Sequence, residues 1–154
     1  MFEPVFYDDY VKAITTNRIL GYTGDCYAFF TFLTRQYSDQ YIETVARHIL
    51  NCGCQKCFFY GVDSSDWNMK FDLIDINLHP EAEDVCLTSI LEDEEVFMDE
   101  IDLAITIVKR PSDIIVLYDD EEKYNGMKTR LLQEERAACD NWYEKTWQCC
   151  QCKQ

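Results

Sequence analysis

The apolar positions from Tyr27 to Val62 read as strand, helix, strand. Tyr27-Ala-Phe-Phe-Thr-Phe-Leu33 is an apolar and aromatic run of strand length. Ser38 stands where an N-cap would, and Tyr41, Ile42, Val45, Ala46, Ile49 and Leu50 then recur at helical spacing. Asn51 and Gly53 supply a stop, and Cys57-Phe-Phe-Tyr-Gly-Val62 is a second apolar run. Strands that do not alternate with polar residues are those buried on both faces. Two of them joined by one amphipathic helix predict a parallel βαβ unit.

The alternation continues beyond it. Ser65 or Asp66 can cap a helix bearing Trp67, Phe71, Ile74 and Leu78, and His79-Pro80 should end it, because a residue before proline avoids the helical region. Val85 to Leu91 reads as a third strand. Glu92-Asp-Glu-Glu95 suits the positive end of a helix whose stripe is Val96, Phe97, Ile101, Ala104, Ile105 and Val108; Lys109 and Arg110 sit at its negative end, before Pro111. Asp113-Ile-Ile-Val-Leu-Tyr118 is the fourth strand, Asn125-Gly126 marks a turn, and Met127 to about Trp147 has helical composition. Near the amino terminus, Phe6, Tyr7, Tyr10, Val11 and Ile14 fall on one face of a short helix after Pro4, and Gly21-Tyr-Thr-Gly24 reads as a turn. The whole predicts one α/β domain over residues 1–148. It is a three-layer sandwich with a mainly parallel sheet of about four strands, flanking helices and a C-terminal helix. Residues 149–154 form a cysteine-rich tail without a pattern.

Charge changes the picture more than composition does. The 154 residues carry a net charge of −15. From Glu81 to Glu122 there are 15 acidic residues against Lys109 and Arg110, a net of −13. A surface this acidic repels nucleic acid phosphates and anionic lipid, and favours a basic protein partner. The nine cysteines are odd in number, and no apolar run has the form of a signal peptide or the length of a membrane span. A cytoplasmic, reducing compartment and free thiols are expected.

Catalytic motifs are sparse. There is no G-x-G-x-x-G, P-loop, G-x-S-x-G or H-E-x-x-H. Ligands of open parallel sheets bind beyond the strand carboxyl ends, and here Asp63 to Trp67, Glu92 to Glu95 and Asp119 to Glu122 stand there. Such carboxylates could hold a divalent metal, but the first strand is followed by Thr34-Arg-Gln-Tyr37 and not by an Asp-x-Asp nucleophile. Cys52-Gly-Cys54-Gln-Lys-Cys57 and Cys149-Cys150-Gln-Cys152 are two thiol clusters that could form a zinc site if the last helix folded back. His48 and His79 are the available bases for a cysteine nucleophile, and their positions suit a packing or surface role better.

The segment Cys57-Phe-Phe-Tyr-Gly-Val-Asp63 with Trp67 and Phe71-Asp72, then Asp84-Val-Cys-Leu-Thr-Ser89 and Asp93-Glu94-Glu95, resembles a family of short, uncharacterised bacterial α/β proteins. The resemblance covers roughly Tyr27 to Tyr118. It implies the same order of elements and a bacterial origin, and carries no activity with it.

Charge and elimination together favour a non-enzymatic binding protein, an immunity-type inhibitor of a basic toxin such as a nuclease. Its partner-binding residues would be Glu92, Asp93, Glu94, Glu95, Asp99, Asp119, Asp120, Glu121 and Glu122, with Trp67 as an aromatic anchor. The alternatives are a metal-dependent enzyme or ligand-binding domain with a carboxylate site at the strand ends, and a zinc or thiol module using Cys52, Cys54, Cys57, Cys149, Cys150 and Cys152. The plainest reading of the same acids is a capped helix and a solvated face.

Overall fold

A computed structural model describes residues 10–81 and 86–133. Within them lie five strands and four helices: β1 (Val11–Thr15), β2 (Cys26–Leu33), α1 (Asp39–Asn51), β3 (Lys56–Gly61), α2 (Ser64–Leu78), β4 (Leu87–Ile90), α3 (Glu94–Ile107), β5 (Asp113–Tyr118) and α4, described over residues 121–133. A 3₁₀ turn at Ile19–Gly21 joins the first two strands. The sheet is parallel throughout, in the order β1-β5-β2-β3-β4.

The crossovers obey one hand. β2–α1–β3 and β3–α2–β4 step in one direction across the sheet, with both helices on one face. β4–α3–β5 steps back, with its helix on the opposite face. Reversing direction and face together preserves handedness, as the twist of parallel units requires. The result is a three-layer α/β sandwich.

Each face has its own core. Phe29 and Leu33 of β2, Phe59 of β3 and Ile115 and Leu117 of β5 meet α1 and α2. Ala28, Phe30 and Phe32, Phe58, and Ile114 and Val116 meet α3 and α4. Alternate residues of one strand thus feed opposite cores, which explains the unbroken apolar runs. Phe29, Phe30, Phe59, Phe71 and Phe97 are fully buried. Each contributes on the order of 2–3 kcal/mol by leaving water.

Three helix starts are fixed by side chains. Ser38 Oγ accepts the Tyr41 amide at 3.1 Å, Asp93 Oδ1 that of Val96 at 2.8 Å, and Asp120 Oδ1 that of Lys123 at 3.0 Å. The cap of α2 differs from expectation. Neither Ser65 nor Asp66 precedes it; Asp63 does, in a left-handed conformation (φ 58°) without a side-chain cap bond.

Two further expectations are corrected. Val11–Thr15, read as part of a helix, is a strand paired with β5 from Val11↔Ile114 to Thr15↔Tyr118. Five residues are too few for spacing to separate the two periods, and the deciding partner lies a hundred residues away. Asn125-Gly126, read as a turn, lies inside α4. The Asp120 cap starts that helix earlier, and a helical glycine costs only about 1 kcal/mol relative to alanine.

Candidate functional site at the carboxyl end of the sheet

An all-parallel sheet delivers every strand to the same end of the molecule. Asp63 and Asp66 follow β3, Glu92 to Glu95 follow β4, and Asp119 to Glu122 follow β5. In the sheet, β2 and β3 lie between β5 and β4. The acidic segments after β4 and β5 therefore flank this end from positions three strand spacings apart, about 14 Å. Glu92, Asp93, Glu95, Asp99, Glu121 and Glu122 are exposed; Glu94, Asp119 and Asp120 are partly buried.

These acids differ in what they touch. Asp119 is held by four donors: the Thr34 amide (2.9 Å), the Thr34 hydroxyl (2.8 Å), the Arg35 amide (3.1 Å) and the Tyr37 hydroxyl (2.9 Å). Its carboxylate ties the turn after β2 to the end of β5, and those bonds occupy the lone pairs a partner or metal would use. Asp93 and Asp120 cap helices. Glu94 pairs with Arg130 of α4 at 3.3 Å. Among the described residues, that leaves Glu92, Glu95, Asp99, Glu121 and Glu122 as the exposed acids of these segments without such a structural bond.

Trp67 is not a surface anchor. It is fully buried, edge-on to Tyr37 and Tyr41 and tilted against Phe71. A side chain at an apolar position on the first turn of a core helix faces the sheet, and no partner reaches it. Tyr22 is buried and Tyr27 half-buried, so neither presents a free aromatic face. Trp142 and Trp147 lie outside the described residues.

A crevice of about 730 Å³ opens at this end, over the last residues of β2 and β3 and between α3 and α4. Phe32, Tyr60, Val62 and Met127 give it apolar walls, and Lys123, Arg130 and Glu94 its charges. It adjoins the place where the chain leaves β2 toward one face and β5 toward the other, the usual ligand position in open parallel sheets. Gly61 makes the close approach there possible. Its φ is +107°, and a Cβ would meet the Leu33 carbonyl. Burial, with Glu94 and Asp93 nearby, raises the Tyr60 hydroxyl above its ordinary pKa.

The carboxylates do not converge. Among the described residues, the one set of three or more His, Cys, Asp or Glu ligand atoms that gathers closely enough for a metal is Cys54, Cys57 and Cys86. This set lies at the opposite, amino end of the sheet. Cys57 Sγ is 3.5 Å from Cys54 Sγ and 3.4 Å from Cys86 Sγ. Burial pushes the Cys54 and Cys57 thiols up. Cys86 is raised first by its hydrogen bond with Cys54 and then by burial. Cys52 is half-buried and outside the set. Cys149, Cys150 and Cys152 lie outside the described residues. In the sequence Cys86 reads as one more apolar residue of a strand. The available signal was a cysteine at the start of the strand after a C-x-x-C strand.

The histidines have structural surroundings. His48 Nε2 lies 2.6 Å from the Tyr22 carbonyl, and His79 is the exposed C-cap of α2. No family model, curated protein or solved structure matches the chain. Among the described residues, no helix is long and apolar enough to cross a membrane.

Proposed function

We propose that the chain is a non-enzymatic acidic binding protein, an immunity-type inhibitor that neutralises a basic toxin such as a nuclease in the bacterial cytoplasm. The reading is carried by one observation: a parallel topology gathers the acidic segments after β3, β4 and β5 at a single end of the molecule. Opposite potentials accelerate encounter and disfavour wrong partners, so an end rich in carboxylates suits a cationic cleft. Glu92, Glu95, Asp99, Glu121 and Glu122 are the exposed contributors. Asp119, Asp93 and Asp120 serve the fold that presents them.

The test uses the purified full chain to capture cationic proteins, followed by association kinetics with the captured partner. Reversing Glu92, Glu95, Glu121 and Glu122 to lysine is expected to slow association by roughly tenfold or more at low salt. The wild-type chain is expected to silence the partner's toxic activity at one-to-one stoichiometry. A partner that binds the reversed variant at an unchanged rate would overturn the reading.

A second reading rests on the crevice. Its volume is in the range of small-ligand sites, and Lys123 and Arg130 stand among apolar walls. The reading is a ligand-binding domain for an amphiphile bearing a carboxylate or phosphate. Thermal stabilisation by such a compound, lost in Lys123→Ala, would favour it over the first.

A further inference from the structure

Four buried cysteines gather at the amino end of the sheet, away from the acidic end. Cys26 opens β2, Cys54 lies just before β3, Cys57 is its second residue and Cys86 immediately precedes β4. They are 3%, 3%, 0% and 3% exposed. Three adjacent strands thus bring their thiols to one spot beneath α2. We propose that Cys54, Cys57 and Cys86 are three ligands of a structural zinc ion that fastens the amino ends of β3 and β4 together.

The geometry is close to what zinc needs. Tetrahedral zinc with Zn–S bonds of about 2.3 Å sets its sulfurs about 3.8 Å apart. The observed separations of 3.5 and 3.4 Å need to open by only a few tenths of an ångström. The local chain is shaped for it. Gly53 (φ +80°) turns the backbone out of α1 so that Cys54 points inward, and Cys54-Gln-Lys-Cys57 has the spacing of a zinc knuckle.

A second observation points to the same place. Asp75 of α2 is 4% exposed; its Oδ2 accepts the Cys86 amide at 3.1 Å, while Oδ1 has no hydrogen-bond partner among the described residues. A buried carboxylate oxygen without a partner is costly, and a cation beside Cys86 would relieve it. Two further groups stand near the trio as candidates for the fourth ligand. One is Asp75, whose Oδ2 accepts the Cys86 amide; the other is Cys26, which opens the neighbouring strand β2 and whose thiol donates to the Ala28 carbonyl.

Two other uses of the thiols fit less well. Thiol–disulfide exchange needs an accessible thiolate, and these sulfurs are enclosed. A zinc ion displaces the thiol protons on binding. Mere packing as small apolar side chains accounts for burial, but not for three sulfurs converging from two strands beside an unmatched carboxylate. The gain is local. Among the described residues β4 is a four-residue edge strand, mostly exposed and paired only with β3, and a metal at its entry anchors it.

The test is metal analysis of the full chain, purified under reducing conditions without added metal. About one zinc per chain is expected, retained in Cys52→Ser and in the triple variant Cys149→Ser/Cys150→Ser/Cys152→Ser, and lost in Cys57→Ser and Cys86→Ser. Chelation should lower the melting midpoint by roughly 5–15 °C, reversibly on adding zinc. Cobalt titration of the wild-type chain does not depend on the variants folding. Intense sulfur-to-cobalt charge transfer with tetrahedral visible bands is expected, and the sulfur count from X-ray absorption assigns the fourth ligand to Asp75 or Cys26. The inference is overturned if the wild-type chain binds neither zinc nor cobalt stoichiometrically. It is also overturned if binding disappears with the three C-terminal cysteines and survives Cys86→Ser.

Discussion

Replacing Asp119 should damage the fold before it touches any partner. Four donors converge on this carboxylate, two of them backbone amides at Thr34 and Arg35. A hydrogen bond to a charged group contributes roughly 1.5–3 kcal/mol, and the contributions are not additive. Asp119 is only partly buried, so water can take over some of the orphaned donors after truncation. The expected cost of Asp119→Ala is therefore about 2–4 kcal/mol, well short of four independent bonds. For a chain of this size, that lowers the melting midpoint by roughly 5–15 °C. Asp119→Asn keeps one acceptor oxygen but turns an NH2 toward donors, so it should recover little. Urea unfolding at neutral pH, followed by circular dichroism, reads the loss as a lower midpoint at unchanged slope. Glu121→Gln and Glu122→Gln, on exposed residues of the same acidic run, should stay within about 0.5 kcal/mol of wild type. A loss below about 0.5 kcal/mol for Asp119→Ala would refute the reasoning, as would full recovery by asparagine.

Other outcomes follow from the same geometry. Gly61→Ala places a Cβ against the Leu33 carbonyl at a positive φ, so a loss of about 3 kcal/mol or more is expected in urea unfolding, against well under 1 kcal/mol for Gly21→Ala in open space. Tyr22 donates a 2.6 Å hydrogen bond to buried Asp113; Tyr22→Phe should cost about 1.5–3 kcal/mol, read by the same assay, and an unchanged midpoint would deny that bond its role. Burial, then the neighbouring Tyr37 and Asp119, pushes the Tyr41 hydroxyl up to about 12. A raised folded-state pKa contributes stability that is complete below the ordinary value near 10 and lost as pH climbs through 12. Stability should therefore fall between about pH 10 and 12, with tyrosinate absorbance rising alongside, and Tyr41→Phe should flatten that dependence.

The sequence patterns that proved readable are those in which a local rule and the tertiary partner agree. Ser38 caps α1 as its position before an apolar stripe suggests, and the doubly apolar β2 and β3 pair in parallel. Phe71 and Ile74 fill the core from the stripe on which they were placed. Elsewhere the deciding contact is remote. Val11 to Thr15 is extended because β5 is its neighbour, and nothing within five residues reveals that. Asp119 looks like the first of four equivalent acids, but the turn from Thr34 to Tyr37, more than eighty residues earlier, singles it out. Trp67 sits at an apolar helical position, so its burial was the ordinary outcome for that stripe. Cys86 gains its meaning only from the pairing of β4 with β3, which sets it beside Cys57.

The strand order has a consequence for how the molecule comes into being. Among the described residues, β5 is the last strand made; it occupies the gap between the first two, and β1 has no other neighbour in the sheet. During synthesis β2, β3 and β4 can associate as they emerge, while the amino-terminal strand must wait until residue 118 has left the ribosome. Closing so long a loop is slow, and until it closes the Phe30 edge of β2 lies open to any other extended chain. A truncated product ending before Asp113 would stay in that state for good: three of the five strands paired, with the centre of the sheet exposed as a rim.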